Sequence, residues 1–163
     1  MTNLWAPWRM QFIEDLKNRK DGCIFCEMAL AGDDRKRLVL HRGKTCYVVM
    51  NRYPYNNGHL LVTPYRHVGV IKALTKEEHQ EIMELTGASV EIMQTALEAE
   101  GINCGINLGK AAGAGIVDHF HMHVVPRWVG DTNFLPVMSE TRSMPEYLEN
   151  TYDRLIGGFK QIS

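Results

Sequence analysis

The chain has 163 residues, of which 45% are hydrophobic and 23% are charged, which is the length and composition of an ordinary globular domain. Eighteen basic residues against nineteen acidic ones leave a net charge of -1, so the chain lacks the basic excess of a nucleic-acid-binding protein. It also lacks an apolar run of membrane-spanning length and a signal-peptide pattern at its amino terminus. We therefore expect a cytoplasmic protein that binds neither nucleic acid nor membranes, with its four cysteines serving as thiols or metal ligands.

The amino-terminal region is predicted to form a short amphipathic helix, in which Phe12, Ile13 and Leu16 fall at helical spacing. Cys23 and Cys26 follow, and a Cys-x-x-Cys pair has the spacing of half a tetrahedral zinc site. Two cysteines alone are weak evidence, because the other two ligands must come from elsewhere in the chain. A plain pair of buried thiols is the alternative interpretation.

The next part of the chain alternates short apolar runs with turns. Three strands are predicted there, over residues 38–41, 45–50 and 60–62. Thr75 and Glu78 then form a capping box, which opens one long helix that closes at Gly101. The helix carries a wide apolar stripe, and its methionines are interpreted as core residues.

A further strand over residues 102–108 and a final helix from about Met144 to Leu155 complete the regular predicted elements. The connections are of hairpin length, without repeated strand–helix–strand crossovers. This order predicts an α+β fold, in which an antiparallel sheet has its helices on one side. No repeat or low-complexity linker divides the sequence, so we predict a single domain over residues 1–163.

A glycine-rich segment, residues 107–115, leads into three histidines that alternate with apolar residues: His119, His121 and His123. In an extended chain the histidines share one face, and the apolar residues between them form a core wall on the other. Side chains that titrate near neutral pH seldom line up for packing alone, and bare glycine amides can face an anion. The pattern therefore favours a catalytic strand for phosphate chemistry over a half-buried strand or a fortuitous metal site.

This row of histidines, followed by Val124 and Val125, resembles the signature of the histidine triad (HIT) family, His-x-His-x-His with two apolar residues after it. Residues 51–67 resemble the nucleotide-binding segment of the same family. The resemblance implies an antiparallel sheet with one long helix and shorter terminal helices, and a homodimer whose sheets join across a twofold axis. It places the HIT core at about residues 22–130, followed by a tail and helix over 131–163.

The resemblance also implies a role for each site residue. His121 matches the family's nucleophile, and His123 is placed to donate a hydrogen bond to a phosphate oxygen or to the leaving group. Nucleotide- and phosphate-binding positions fall on Asn51, Asn107, Gly115 and Trp128. The ligands of a structural zinc fall on Cys23, Cys26, His67 and His119, whereas no redox cofactor is expected. A turn role for Asn51 and a strand-end role for Trp128 are alternatives, and His59 is interpreted as a supporting or packing histidine.

One departure from the family pattern points to a particular branch. Hydrolases and phosphoramidases of the family usually carry Gln followed by Ser or Thr just before the triad, whereas this chain has Gly115 and Ile116. The Gly-Ala-Gly loop and residues 126–134 resemble instead the bacterial diadenosine tetraphosphate phosphorylases. This resemblance implies that diadenosine tetraphosphate is split into ATP and ADP through a nucleotidyl-histidine, with inorganic phosphate as the acceptor.

Three alternatives remain open on the sequence. Water could release the same intermediate, as in a dinucleoside polyphosphate or nucleoside phosphoramidate hydrolase. The three histidines could instead form a catalytic zinc site. A nucleotide-binding interaction protein with incidental activity is the alternative from a different functional class.

Overall fold

The computed structural model describes residues 22–30, 32–131 and 145–162, so the predicted helix around Phe12 lies outside the described residues. Five strands form one antiparallel sheet in the order β1-β2-β3-β5-β4. The strands are β1 (Val39–Arg42), β2 (Cys46–Met50), β3 (Leu60–Pro64), β4 (Gly101–Gly105) and β5 (Met122–Arg127). The predicted α+β class and the antiparallel sheet are confirmed.

Four α-helices accompany the sheet in the described part of the chain: α1 (Ile24–Leu30), α2 (Asp34–Arg37), α3 (Lys76–Ala96) and α4 (Leu148–Phe159). The short α2 was not predicted; it begins after Asp33, whose side chain accepts a hydrogen bond from the Lys36 backbone N–H and caps the turn. The last helix begins and ends about four residues later than predicted. None of the helices in the described ranges is both long and apolar enough to cross a membrane.

The long helix α3 begins where its capping box predicts. The Thr75 hydroxyl accepts from the Glu78 backbone N–H at 3.1 Å, and the Glu78 carboxylate accepts from the Thr75 backbone N–H at 2.8 Å. Met93 is fully buried in the core, as expected, but the Met83 side chain is 61% exposed. The core role predicted for Met83 is therefore wrong, because this residue lies on the solvent side of the helix.

Helices cover both faces of the sheet, so the prediction of helices on one side is corrected. Val48, Leu60 and Val124 face α3 and α4, whereas neighbouring strand residues on the opposite face pack against Phe25 and Met28 of α1. Because both faces are covered, all five residues of β2 are buried. The predicted site lies on the α1 side, since His123 pairs across strands with Leu61, a member of the α1 cluster.

The histidine row is only partly in the sheet, because β5 begins at Met122 and not at His119. Two hydrogen bonds nevertheless hold the residues just before β5 in place. The Phe120 backbone N–H donates to the Val68 carbonyl at 2.7 Å, and the Phe120 carbonyl accepts from the Thr63 hydroxyl at 2.7 Å. Phe120 and Val124 are buried in the core, so the predicted apolar wall between the histidines is confirmed.

Candidate active site on the α1 side of the sheet

His121 is buried with its ring held in one tautomer. Its Nδ1 lies 2.9 Å from the carbonyl oxygen of His119, and a carbonyl oxygen can only accept a hydrogen bond. Nδ1 therefore carries the proton, and Nε2 keeps a free lone pair. Burial also lowers the pKa of His121, which favours the neutral ring. A neutral imidazole with a lone pair on Nε2 is the form that can attack phosphorus.

A second hydrogen-bond chain fixes the tautomer of His123. The Tyr55 backbone N–H donates to Nδ1 of His59 at 3.0 Å, so the proton of His59 is on Nε2. That Nε2–H group donates to Nδ1 of His123 at 2.9 Å. The proton of His123 is therefore on its own Nε2, which is buried and has no hydrogen-bond partner among the residues that the structure describes. A buried N–H group without a partner is ready for an acceptor, such as a phosphate oxygen.

Burial keeps both members of this pair uncharged. It lowers the pKa of His123 to about 4, with a smaller contribution from His121. It also holds the pKa of His59 well below its usual range, and His123 and His121 act in the same direction. The rings of His121 and His123 have centroids 5.0 Å apart and an interplanar angle of 67°. The structure thus brings a lone pair and an N–H donor side by side at neutral pH.

An apolar pocket opens beside these two histidines. Its apolar wall comes from α1, two strands and the loop before the triad: Ile24, Phe25, Met28, Val49, Leu61 and Ile116. Asn51, Arg52 and Tyr55 supply polar groups, and Gly113 and Gly115 bring backbone to the wall. An apolar cleft with a few polar groups and a reactive end has the general character of a small-molecule site.

Two of the predicted nucleotide-binding residues lie at this pocket and a third is close to it. Asn51 and Gly115 line the pocket. The Asn51 side chain also accepts from the Tyr53 backbone N–H at 2.9 Å, so its turn role and its place in the pocket are compatible. Asn107 does not line the pocket, but its Nδ2 donates to the Tyr55 hydroxyl at 3.4 Å.

Trp128 lies away from this pocket. Its indole N–H donates to the backbone carbonyls of Leu97 and Glu98, at 3.2 and 2.9 Å, beyond the end of α3. Trp128 is not among the residues that line the pocket in the described part of the chain. These contacts support the strand-end role of Trp128, whereas its contact with a substrate stays a prediction.

The four predicted metal ligands converge at the other end of the histidine row. The ligand atoms of Cys23, Cys26, His67 and His119 all lie within 4.8 Å of one another. Nδ1 of His119 is 3.2 Å from the Cys23 sulfur and 3.6 Å from the Cys26 sulfur. Nδ1 of His67 is 3.4 Å from the Cys26 sulfur. In a tetrahedral zinc site of this composition, neighbouring ligand atoms are about 3.5 Å apart.

The tautomer of His119 also suits a metal. Its Nε2 donates to the Pro64 carbonyl at 2.9 Å, so the lone pair is on Nδ1, which faces the cysteines. Burial and the neighbouring Cys23 raise the pKa of the Cys26 thiol, and a bound cation would offset both effects. Two thiols and two imidazoles whose Nδ1 atoms face those thiols fit zinc well.

The helix α1 links the cluster of predicted metal ligands to the pocket. Phe25 lies between the two cysteines in sequence, and its ring centroid is 5.1 Å from those of both His119 and His121. The segment that supplies two metal ligands therefore also forms a wall of the pocket. The sequence did not reveal this link, because nothing in the local pattern shows which side of the sheet α1 covers.

Comparisons with known proteins agree with this geometry. The sequence profile of the HIT domain matches residues 34–129. A Mycobacterium tuberculosis protein named AP-4-A phosphorylase is 37% identical over 158 residues, which cover 93% of this chain and 80% of the relative. The bis(5'-adenosyl)-triphosphatase of Dictyostelium discoideum is 35% identical over 93 residues, or 57% of this chain and 62% of the relative. A zinc-bound histidine triad family protein from Mycobacterium smegmatis aligns with a TM-score of 0.69 and 25% identity, covering 86% of this chain and 94% of that one.

Proposed function

Because this chain belongs to the HIT-domain family, we propose that it is an enzyme that transfers a nucleotidyl group from a dinucleoside polyphosphate through a covalent intermediate on His121. One observation carries the proposal. The lone pair of His121 and the unpartnered N–H of His123 lie side by side, and each is fixed by its own hydrogen bond. A nucleophile and a donor for the phosphate are what such a transfer needs.

In the first step, Nε2 of His121 attacks the phosphorus next to one adenosine. A nitrogen–phosphorus bond forms, and the bridging oxygen leaves with the bonding electrons as part of a nucleoside polyphosphate. The Nε2–H group of His123 donates to a phosphate oxygen or to the departing oxygen and so stabilises the charge that develops there. With diadenosine tetraphosphate the leaving group is ATP, and AMP stays on His121.

We assign the pocket to the adenosine part of the substrate. Its apolar wall suits a flat nucleobase, Asn51 is placed for the ribose, and the Gly113 to Gly115 backbone suits the phosphate. Asn107 is assigned as a further phosphate contact, which it reaches from the side of Tyr55.

In the second step, we propose inorganic phosphate as the acceptor. A phosphate oxygen attacks the adenylyl phosphorus, the nitrogen–phosphorus bond breaks, and ADP leaves. Two observations support phosphate over water: the relative named AP-4-A phosphorylase covers most of the chain, and Ile116 stands where the hydrolases usually carry Ser or Thr. A dinucleoside polyphosphate hydrolase is the second candidate, since a relative named bis(5'-adenosyl)-triphosphatase is also similar.

We assign a structural zinc to Cys23, Cys26, His67 and His119. When bound, the metal would cross-link the start of α1 to the chain after β3 and to the histidine row. Both ring nitrogens of His119 have partners outside the pocket: Nδ1 faces the cysteines, and Nε2 donates to the Pro64 carbonyl. This geometry argues against a catalytic zinc held by all three histidines of the row.

We further propose a cytoplasmic homodimer, in which the sheets of two copies join along β4. This strand is at the edge of the sheet, and Asn103, Cys104 and Gly105 are exposed. The other edge is different, because the Tyr152 hydroxyl from α4 donates to the Val39 carbonyl of β1. An open strand edge is a ready surface for pairing with a second copy.

The test of the reaction is to incubate the purified protein with diadenosine tetraphosphate, with and without inorganic phosphate, and to separate the products by ion exchange. ATP and ADP that form only with phosphate would support the phosphorylase. AMP and ATP at a rate independent of phosphate would establish the hydrolase instead. Absence of turnover under both conditions would contradict the proposed substrate.

A further inference from the structure

Tyr55 contacts both parts of the site that handle phosphate, although its position in the sequence gave it no role. Its ring stacks on the His59 ring at a centroid distance of 4.8 Å and an interplanar angle of 29°. The same ring stacks on the His123 ring at 5.5 Å and 21°. One aromatic face therefore covers both imidazoles of the hydrogen-bonded pair.

The backbone of Tyr55 acts on the same pair. Its N–H group donates to Nδ1 of His59, and this bond sets the tautomer that passes through to His123. Because the ring and the N–H group belong to one residue, the distance between the stacking face and the hydrogen-bond chain is fixed. A shift of Tyr55 would move both supports of His123 together.

The hydroxyl of Tyr55 reaches the other side of the site. It accepts a hydrogen bond from Nδ2 of Asn107, in the segment that leads from β4 into the glycine-rich loop. Tyr55 thus joins the histidine pair to the glycine-rich segment, which is assigned to the phosphate under the proposed function. Both Tyr55 and the glycines of this loop line the same pocket.

We propose that Tyr55 is a positioning residue that holds the His123 ring and the Asn107 amide in register on either side of the transferred phosphoryl group. This inference rests on the proposed nucleotidyl transfer at His121. The stacked ring prevents His123 from rotating away from the direction in which its Nε2–H group points. The hydroxyl keeps the Asn107 amide turned toward the same place.

The size of the effect follows from the geometry required for the reaction. A displacement of about 1 Å in a catalytic group can reduce the rate by about 100-fold. We therefore expect Tyr55→Leu, which removes ring and hydroxyl, to lower kcat by about 10- to 100-fold. Tyr55→Phe keeps the stacking and loses one neutral hydrogen bond, so we expect kcat/KM to fall by about 5-fold with kcat nearly unchanged.

The first experiment measures the tautomer directly, by nitrogen NMR of the protein with labelled histidines. Wild type, Tyr55→Phe and His121→Ala are expected to show a single Nε2–H tautomer for His123 with sharp ring signals. Tyr55→Leu keeps the backbone N–H that sets this tautomer but removes the stacked ring, so its His123 ring signals are expected to broaden through motion of the ring. Tyr147→Leu is the matched control, because Tyr147 is 80% exposed and is not part of the pocket. His123 ring signals as sharp as those of wild type in folded Tyr55→Leu, with kcat within twofold of wild type, would overturn the proposal.

The second experiment needs no disruptive variant and tests the link to Asn107. Tyr55→Phe, Asn107→Ala and the double variant are compared for AMP affinity and for kcat/KM. If the two residues act through each other, the double variant loses no more than the larger single loss. Independent, additive losses would contradict the link.

The NMR and AMP measurements also separate the two hypotheses. They do not depend on turnover, so they decide the role of Tyr55 even if the protein proves inactive on diadenosine tetraphosphate. A wild-type protein that forms no covalent intermediate would contradict the proposed function and leave the structural role of Tyr55 to be judged on the tautomer and the affinity.

Discussion

The two ends of the histidine row show how the same residue type takes on different chemistry. At one end, Nε2 of His119 donates to the Pro64 carbonyl, which leaves Nδ1 for the cysteines. At the other end, Nδ1 of His123 accepts from His59, which leaves an Nε2–H donor facing the pocket. The difference lies in which ring nitrogen the surroundings engage. The hydrogen-bond partner of each histidine thus decides whether it presents a lone pair, as a metal ligand needs, or an N–H group, as a bond to a phosphate oxygen needs.

The largest effect on activity is expected from removal of the proposed nucleophile, His121, which lies between the two ends. We predict that His121→Ala lowers turnover of diadenosine tetraphosphate by at least about 1,000-fold, since it removes the lone pair that is proposed to attack the phosphorus. The fold should persist, because His121 holds no structural metal. Turnover and thermal unfolding are measured together, with the exposed His79→Ala as the matched control. Turnover within tenfold of wild type would exclude the covalent mechanism.

Metal removal at the other end is expected to affect stability and activity together. We predict that a chelator, or Cys26→Ser, lowers the unfolding temperature, because the ligands join α1 to the rest of the sheet. Activity should fall in parallel, because α1 forms a wall of the pocket. The measurement is metal content, unfolding temperature and kcat on the same samples. Loss of activity with an unchanged unfolding temperature would indicate a catalytic metal. The assignment of a structural role to the His119 end of the row would then be wrong.

The donor that fixes His123 is expected to have an intermediate effect. His59→Ala removes the partner of Nδ1 on His123, and we predict a fall in kcat of about 10- to 100-fold, the range seen for residues that orient a functional histidine. His59→Gln keeps a side-chain N–H that can donate to His123, so we expect its kcat to lie between those of His59→Ala and wild type. Steady-state kinetics on both variants decide the point. Equal losses in the two variants would mean that His59 acts by packing alone.

Acid is expected to lower the free energy of unfolding through protonation of His123. The pKa of His123 is about 4 in the folded protein, against about 6.5 for an unperturbed histidine, so the unfolded state binds more protons between these values. The stability contribution of the neutral ring is fully present above pH 6.5 and is lost as the pH falls toward 4, by about 3 kcal/mol at most. We predict that His123→Gln makes the free energy of unfolding less dependent on pH in this window. Urea titrations from pH 7 to pH 4.5 measure this, and identical slopes for the two proteins would contradict the assignment.

The sequence predicted those features that depend on local pattern. The capping box at Thr75 opened α3 where expected, and the apolar residues of the histidine row entered the core. The supporting role of His59 was expected but its partner was not, because His123 is 64 positions away and the pairing of β3 with β5 brings the two together. Tyr55 was missed for the same reason. The contact of Trp128 with the end of α3 was also not predicted, because strand alternation does not show where its indole N–H points.

The smallest effect is expected at Trp128, which lies outside both ends of the row. Trp128→Phe removes the N–H group that donates to the carbonyls of Leu97 and Glu98 and keeps most of the ring packing. We predict a loss of about 1 kcal/mol in the free energy of unfolding, the usual net contribution of a hydrogen bond, and a change in kcat of less than about twofold. Denaturant unfolding and steady-state kinetics measure the two quantities. A rise of tenfold or more in KM with unchanged stability would instead indicate that Trp128 contacts the substrate, in the pocket of the second copy of the proposed dimer.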